Sequence, residues 1–261
     1  NGAIGLLLVS KDFPKRNASP VTGNMYFAQQ SATANSFFTA NISEAVASAL
    51  LGRTSIQNTA SLLESKKATY KAELKLVAKK ETLNLESSNV LGLIEGSDKK
   101  DEYLFITAHY DHLGKRDTVI YYGADDDGSG TVSVLELAEA FVQAKKKGKG
   151  PRRTIVFMTV SGEEKGLRGS AYYGNNPTFP LDKTTANLNI DMVGRIDPSY
   201  KGDSTNYVYV IGEDKLSSDL MKITDAVNNK FIKMELDRRY NDPKDPNRFY
   251  YRSDQDRKST R

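Results

Sequence analysis

The sequence predicts an α/β protein in which a mostly parallel sheet carries helices on both faces, with a smaller α/β lobe ahead of it. The chain has 261 residues, enough to bury a full core. Its texture changes near residue 80, where Ser- and Ala-rich sequence gives way to short β-branched or aromatic runs. Strands that alternate with helices indicate a parallel sheet. The strand-like runs are Asn89 to Ile94, Leu104 to Ala108, Thr154 to Val160 and Asn187 to Ile190.

Residues 1–80 are predicted to form the small lobe. Ile4 to Val9 is an apolar run typical of a strand. Ile42 to Leu51 has helical spacing, and Asn41 is the expected N-cap. The alternation in Tyr70 to Val77 and in Glu81 to Leu85 predicts a hairpin or edge strands that lead into the second region.

Residues 81–261 are predicted to form the main domain. A helix is expected over Ser129 to Ala144, between the second and third strands of the sheet. In such sheets ligands gather at the carboxyl ends of the strands. The apolar stripe expected to be buried on the helix is Val134, Leu135, Ala138, Phe141 and Val142.

Composition excludes several classes of function. The net charge is +4, from 37 basic and 33 acidic residues, and the basic runs Lys99-Lys100 and Lys145 to Lys149 have no interleaved aromatic residues. We therefore expect no nucleic-acid partner. The absence of cysteine excludes disulfides and thiolate metal sites, and no apolar run approaches the roughly 20 residues that span a bilayer. The opening Asn1 to Ala3 is neither a start Met nor a signal peptide, so a processed or shortened piece is expected.

The only histidines lie directly after the second strand of the sheet. His109 can bind zinc through one ring nitrogen, and Asp111, two residues on, can hold the other. A plain turn or a satisfied polar pair fits the same spacing. His112 has no such partner in its own run. It is interpreted as a residue that contacts the ligands without binding the metal, or as merely exposed.

Three further acidic runs follow other predicted elements. Asp125 to Asp127 opens the helix as a metal site, a calcium-like loop or a cap; three adjacent acids repel one another unless a cation compensates them. Glu163 and Glu164 suit a division of labour between base and ligand, or a solvated helix start. Asp191 ends an apolar run and needs a partner, either a metal or Arg195.

The four runs together favour a two-metal hydrolase, because one imidazole and several carboxylates suit a pair of divalent ions that share a bridging acid. Their order and spacing resemble the zinc exopeptidase family that includes aminopeptidase Y, co-catalytic bacterial aminopeptidases and glutamate carboxypeptidase II. The resemblance covers Val90 to about Gln255. It rests on the runs 108–112, 123–130, 161–170 and 189–195, which read AHYDH, GADDDGSG, SGEEKGLRGS and NIDMVGR.

The resemblance implies a role for each residue. Zinc would be the cofactor and a peptide the substrate. One zinc would be held by His109 and Asp191, and the other by Glu164. Glu163 would be the general base, and Asp111 would orient His109. The family's fold would be of the phosphorylase/hydrolase type, its location secreted, periplasmic or at the cell surface. Asp126 would bridge the two ions and precede a cis peptide bond.

The first eighty residues resemble the later part of the protease-associated domain that some family members insert. The segments that carry this weaker resemblance are Gly2 to Val9 and Ile42 to Leu51. It implies that the chain begins inside a domain.

One position departs from the family pattern. Where relatives have a histidine as the last metal ligand, the sequence has Gln255 after Ser253-Asp254. An amide oxygen is a poor replacement for imidazole at zinc, so we expect a weakened second site and at most one well-occupied zinc. The family's terminal strand and helix are also expected to be missing from residues 81–261.

Several functions remain open at this point. An aminopeptidase that hydrolyses N-terminal residues of peptides is the leading hypothesis. The alternatives are a catalytically impaired binding or scaffold module of the same fold, as in the transferrin receptor, a carboxypeptidase, or a relative of glutaminyl cyclase. Nothing in the sequence predicts the oligomeric state.

Overall fold

A computed structural model describes residues 2–10, 13, 37–52, 71–77 and 83–255. The chain divides into two compact units, Asn1–Asn84 and Leu85–Arg261, which are described separately.

The described residues of the first unit form a two-stranded parallel pair and one helix. Strand β1, Gly5–Val9, pairs with β2, Phe38–Ile42, and helix α1, Glu44–Leu50, follows at once. The N-cap is Ser43 and not Asn41, because the Ser43 Oγ accepts a hydrogen bond from the Val46 amide at 3.2 Å while Asn41 lies in β2. The identification of this unit as a protease-associated lobe stays a prediction.

The strands predicted just before the second unit do not form. Residues 71–77 have no regular secondary structure, and neither have residues 83–89. Every side chain in 71–77 is exposed, so alternation there has no buried face to stabilise a strand. Tyr70 and Glu81, which the same prediction includes, lie outside the described residues.

The second unit is built on a four-stranded, mostly parallel sheet, as the sequence predicts. Its strands are β3, Val90–Ile94; β4, Lys99–His109; β7, Arg153–Val160; and β8, Thr184–Asn189. Their order is β3-β7-β4-β8. Strand β4 is parallel to both β7 and β8, and β3 is antiparallel to β7.

Side-chain alternation along β4 and β7 gives the sheet two apolar faces. On one face, Ile106 and Phe157 pack against helix α2, Gly128–Lys146. On the other face, Phe105 and Met158 pack with Tyr173 of helix α3, Arg168–Asn175. The sheet therefore carries a helix on each face, and the central parts of β4 and β7 are hydrophobic on both sides.

Helix α2 buries a narrower stripe than the sequence predicts. Val134 is 1% exposed, and Ala138 and Phe141 pack against the core, as expected. Leu135 and Val142 are 60% and 38% exposed, so their predicted burial is wrong. Leu137, three residues after Val134, packs inward instead, as the helical period requires.

Smaller elements surround this core. Strands β5, Gly114–Arg116, and β6, Val119–Tyr121, form a hairpin after β4. Farther on, β9, Tyr207–Tyr209, pairs in parallel with β10, Glu235–Asp237. Helix α4, Leu220–Val227, lies between these two strands in sequence and continues into the π-helical turn Asn228–Ile232. Short 3-10 turns occupy Leu181–Lys183, Arg239–Asn241 and Phe249–Tyr251.

In the described ranges, no helix is both long and apolar enough to cross a bilayer.

The packing predicts a contrast between two single substitutions. Met158 is fully buried, so Met158→Ala should lower the free energy of unfolding by about 2–5 kcal/mol. Leu135→Ala, on the exposed face of α2, should change it by less than about 0.5 kcal/mol. Urea unfolding followed by circular dichroism measures both, and equal losses would contradict the burial described for α2.

Candidate metal centre and active site

The candidate site lies where three neighbouring strands end. His109, the last residue of β4, is paired with Val160, the last residue of β7. Thr107 of β4 is paired with Asn189, the last residue of β8. Side chains that follow these strands therefore converge at one edge of the sheet, as expected for a parallel sheet.

A first group of possible metal ligands consists of His109, Asp126 and Asp191. His109 Nε2 lies 3.1 Å from Asp126 Oδ1 and 3.9 Å from Asp191 Oδ1. On its other side, His109 Nδ1 lies 2.9 Å from the main-chain oxygen of Asp111. If Nδ1–H donates to this carbonyl, the Nε2 lone pair faces the carboxylates, which is the tautomer a metal requires.

Asp111 orients His109 through its backbone and not through its carboxylate. The Asp111 Oδ1 atom is 3.9 Å from His109 Nδ1, too far for a hydrogen bond. It accepts instead from the Glu163 amide at 3.2 Å. The carboxylate of Asp111 therefore connects the loop after β4 to the loop that carries Glu163.

A second group consists of His112, Asp126 and Glu164. His112 Nδ1 is 2.6 Å from Glu164 Oε1 and 4.0 Å from Asp126 Oδ2. The sequence predicts a supporting or exposed role for His112, whereas in the structure its side chain faces Glu164.

Gln255, predicted to stand in this second group, has its side chain engaged elsewhere. Its Nε2 donates to the Tyr250 carbonyl at 3.0 Å, and its Oε1 accepts from Asn189 Nδ2 at 3.2 Å. The expectation of a weakened second site rested on Gln255 as its last ligand. The structure brings His112 to this group instead, and the number of zinc ions stays a prediction.

Asp126 stands between the two groups. Its Oδ1 faces His109 and its Oδ2 faces His112, which is the position that the resemblance implies for a bridging ligand. The peptide bond between Asp126 and Asp127 is cis, as the resemblance also implies.

Asp127 caps helix α2, which is one of the roles that the sequence leaves open. It is also a buried anchor for two strand ends, which the sequence does not predict. Its Oδ2 accepts from the His109 amide at 3.2 Å, and its Oδ1 accepts from the amides of Gly130 and Met192 at 3.0 and 3.1 Å. It thus caps helix α2 and fastens the ends of β4 and β8 to it. A Cβ at residue 130 would collide with the Ile190 carbonyl oxygen and with this carboxylate, so only glycine fits there.

The loop that carries Glu163 and Glu164 is held by its backbone. Gly162 has φ of +73° and Leu167 is left-handed, which allows a tight turn. The amides of Leu167 and Arg168 donate to the carbonyls of Glu163 and Gly162 at 2.9 and 2.8 Å. Asn89 accepts from the Ser161 amide and donates to the Gly169 carbonyl, which ties the turn to the sheet.

Asp191 is held by residues from the end of the described chain. The Ser253 hydroxyl donates to Asp191 Oδ2 at 2.5 Å and accepts from Asn189 Nδ2 at 2.8 Å. Arg195, the alternative partner that the sequence left open, lies 4.0 Å from Asp125 Oδ2 instead. Asp191 therefore faces His109 and Ser253.

The carboxylates of the site lie close together and partly buried, which disfavours their ionised forms. Burial raises the pKa of Asp127 and of Glu163 to about 7 each, and neighbouring carboxylates add to both shifts. Burial also raises the pKa of Asp191. Burial lowers the pKa of His109, but the charges of Asp191 and Asp127 outweigh it and raise the pKa overall. A cation would stabilise the ionised carboxylates.

The unpartnered polar atoms fit such a cation. Within the described part of the chain, His109 Nε2, His112 Nδ1 and Glu164 Oε1 are buried and make no hydrogen bond. Burying polar atoms in this way costs stability unless a ligand satisfies them. All three belong to the two groups of possible ligands, and their nitrogen and oxygen donors suit a divalent ion such as zinc.

Three other residues of the site also escaped the sequence analysis. Asn189 and Ser253 position Asp191, as described above. Asp254 is completely buried, and neither of its carboxylate oxygens has a hydrogen-bond partner among the described residues. Asn189 lies in one of the four runs that carry the resemblance, and Ser253 and Asp254 directly precede Gln255, but the sequence indicates no role for any of them.

The anchoring role of Asp127 predicts a large effect of its removal. Asp127→Ala should lower the free energy of unfolding by about 3 kcal/mol or more, because three main-chain amides lose a charged acceptor. It should also weaken zinc binding by about 10- to 100-fold, because His109 loses its support. Urea unfolding and calorimetric titration measure the two effects. Asp182→Ala, an exposed change on a 3-10 turn, is the control, and an Asp127 variant that behaves like it would contradict the anchor.

The region that contains the site is similar in sequence to known proteins. Residues 89–257 match the sequence model of Peptidase family M28. A "probable glutamate carboxypeptidase" of Arabidopsis thaliana is 34% identical over 112 residues, which are 42% of this chain and 15% of that protein. A "probable zinc metalloprotease" of Leptosphaeria maculans is 36% identical over 111 residues, which are 41% of this chain and 24% of that protein. The chain thus spans less than a quarter of either relative.

A solved structure supports the fold. An aminopeptidase from Aneurinibacillus sp. strain AM-1 aligns with a TM-score of 0.51 and 22% identity, over 87% of this chain and 47% of its own. The match to the family covers more than half of the sequence, and the chain therefore belongs to peptidase family M28.

Proposed function

We propose that this chain carries the catalytic unit of a zinc-dependent exopeptidase, and that its preferred substrate end is the free N-terminus of a peptide. The observation that carries the proposal is the pair of ligand groups that share Asp126 beside Glu163. Family membership supports a metallopeptidase. When bound, divalent ions in the two groups would polarise the substrate carbonyl and make water more acidic.

The residues of the chain supply the proton transfers. Glu163 accepts a proton from water as the oxygen forms a bond to the peptide carbonyl carbon. When the carbon–nitrogen bond breaks, Glu163 returns the proton to the leaving amine. Burial raises the pKa of Glu163, which makes its carboxylate a stronger base. The bond between the Glu163 amide and the Asp111 carboxylate keeps the base beside the end of β4.

The charge of the site supports the N-terminal end of a peptide as the substrate. Within the two ligand groups, the close ion-pair distances all join a carboxylate to His109 or His112. A free α-ammonium group would be attracted to this environment, while a C-terminal carboxylate would be repelled. When ionised, the carboxylates of the site carry more negative charge than two divalent ions would neutralise. They are those of Asp111, Asp126, Asp127, Glu163, Glu164, Asp191 and Asp254.

A carboxypeptidase is the second candidate, because the Arabidopsis relative bears that name. A location outside the cytoplasm is part of the same proposal and rests on the family resemblance.

Peptides blocked at one end separate the two candidates. The zinc-loaded chain should cleave a peptide with a free N-terminus and an amidated C-terminus, and it should leave the N-acetylated peptide with a free C-terminus intact. Mass spectrometry of the products identifies which residue is released. Release from the acetylated peptide alone would favour the carboxypeptidase, and no cleavage of either would favour a scaffold role.

The role of Glu163 predicts a selective loss of turnover. Glu163→Gln should lower kcat by about 10²- to 10⁴-fold, because the amide cannot accept the proton. Zinc content should remain that of the parent, since Glu163 belongs to neither ligand group. Steady-state kinetics and elemental analysis measure the two quantities. Glu139→Gln, the same change on the exposed face of α2, is the matched control; full activity in the Glu163 variant would remove it as the base.

A further inference from the structure

We propose that His112 is the histidine ligand of a second metal site in this chain, at the position for which the sequence offers only Gln255. The inference rests on the proposed function for the presence of a divalent cation. It goes beyond that function in assigning a ligand that lies three residues after His109 on the same loop.

The first support is the arrangement of donor atoms. His112 Nδ1, an oxygen of Asp126 and an oxygen of Glu164 all lie within 4.8 Å of one another. Zinc bonds of about 2 Å can join such atoms after small side-chain rotations. Nδ1 and Glu164 Oε1 are 2.6 Å apart, and each is buried without hydrogen-bond geometry toward any described residue. Two buried donor atoms this close to each other and to Asp126 fit a cation that they share.

The second support is that Gln255 does not compete for the position. Both ends of its amide are bonded, to the Tyr250 carbonyl on one side and to Asn189 on the other. Its oxygen is therefore directed toward Asn189, the last residue of β8. An uncharged amide is also the weaker zinc ligand of the two residue types.

The third support is a backbone cradle that holds the imidazole. Gly123 has φ of +65°, and a Cβ there would lie 2.6 Å from His112 Cβ and 2.8 Å from the main-chain oxygen of Asp126. The Gly128 amide donates to the Gly123 carbonyl at 2.8 Å, which fastens this turn to the start of α2. The close approach of Gly123 keeps His112 beside both Asp126 and Glu164, as a ligand requires.

Metal counting on the whole chain tests the assignment. The protein is stripped with a chelator, titrated with zinc in a calorimeter, and its bound zinc measured by elemental analysis after gel filtration. The parent should hold two zinc ions, and His112→Ala should hold one. Gln255→Ala should still hold two. Glu164→Gln, which removes another member of the same group, should match His112→Ala.

A second variant and a spectroscopic signal guard against misfolding. His112→Gln keeps a side chain of similar length and should also bind one zinc. Cobalt(II) loading should leave the visible absorption of the first site in both His112 variants, which shows that the chain is folded.

Three results would overturn the assignment: two equally tight ions in a His112 variant, a loss of one ion in Gln255→Ala, or a single ion in the parent. Activity is not among these readouts. Two ions in the parent with no peptidase activity would reject the proposed function and leave the assignment standing.

Discussion

The carboxylate of Asp127 is the contact on which the rest of the site depends. It accepts main-chain amides from His109, Gly130 and Met192, so it joins the end of one strand, the start of a helix and the loop after another strand. Each of these segments carries or adjoins a candidate ligand. Because the acceptor is buried and the donors are backbone atoms, their spacing is set before any metal arrives.

This arrangement concentrates like charges, and the charge explains much of the site's chemistry. Asp127 and Glu163 both have pKa values raised to about 7 by burial. Asp254 lies beside them with no hydrogen-bond partner in the described chain. A metal-free site of this kind favours protonated carboxylates, and divalent ions favour ionised ones. The negative charge that costs stability in the metal-free protein is thus the charge that attracts both the metals and an ammonium group.

The four strands of the main sheet could be predicted, because their buried parts read as short apolar runs. The short strands β2, β5, β6, β9 and β10 carry no such run and were not predicted. The prediction failed where burial depends on a tertiary neighbour. Leu135 and Val142 fit a helical stripe but face solvent, and residues 71–77 alternate without a partner strand. Asn41 and Ser43 are both good caps, and only the end of β2 decides between them.

The sequence predicts most residues of the candidate site but not the contacts between their side chains. Asp126 and Glu164 lie in the groups of possible ligands, as the resemblance implies. The side-chain directions could not be inferred, because they depend on contacts that are distant in sequence. His112 turns toward Glu164, Gln255 turns toward Asn189, and Asp111 uses its carbonyl for one neighbour and its carboxylate for another.

The position of β8 gives the first ligand group a particular kinetic property. Strand β8 pairs with β4 on one side, and no described strand pairs with its other side. Asp191 follows this outer strand directly, whereas His109 ends the central strand β4. Fraying of an outer strand needs far less free energy than global unfolding. Exchange of an ion held by this group would therefore follow the local opening of β8, so a metal could leave and return while the core stays folded.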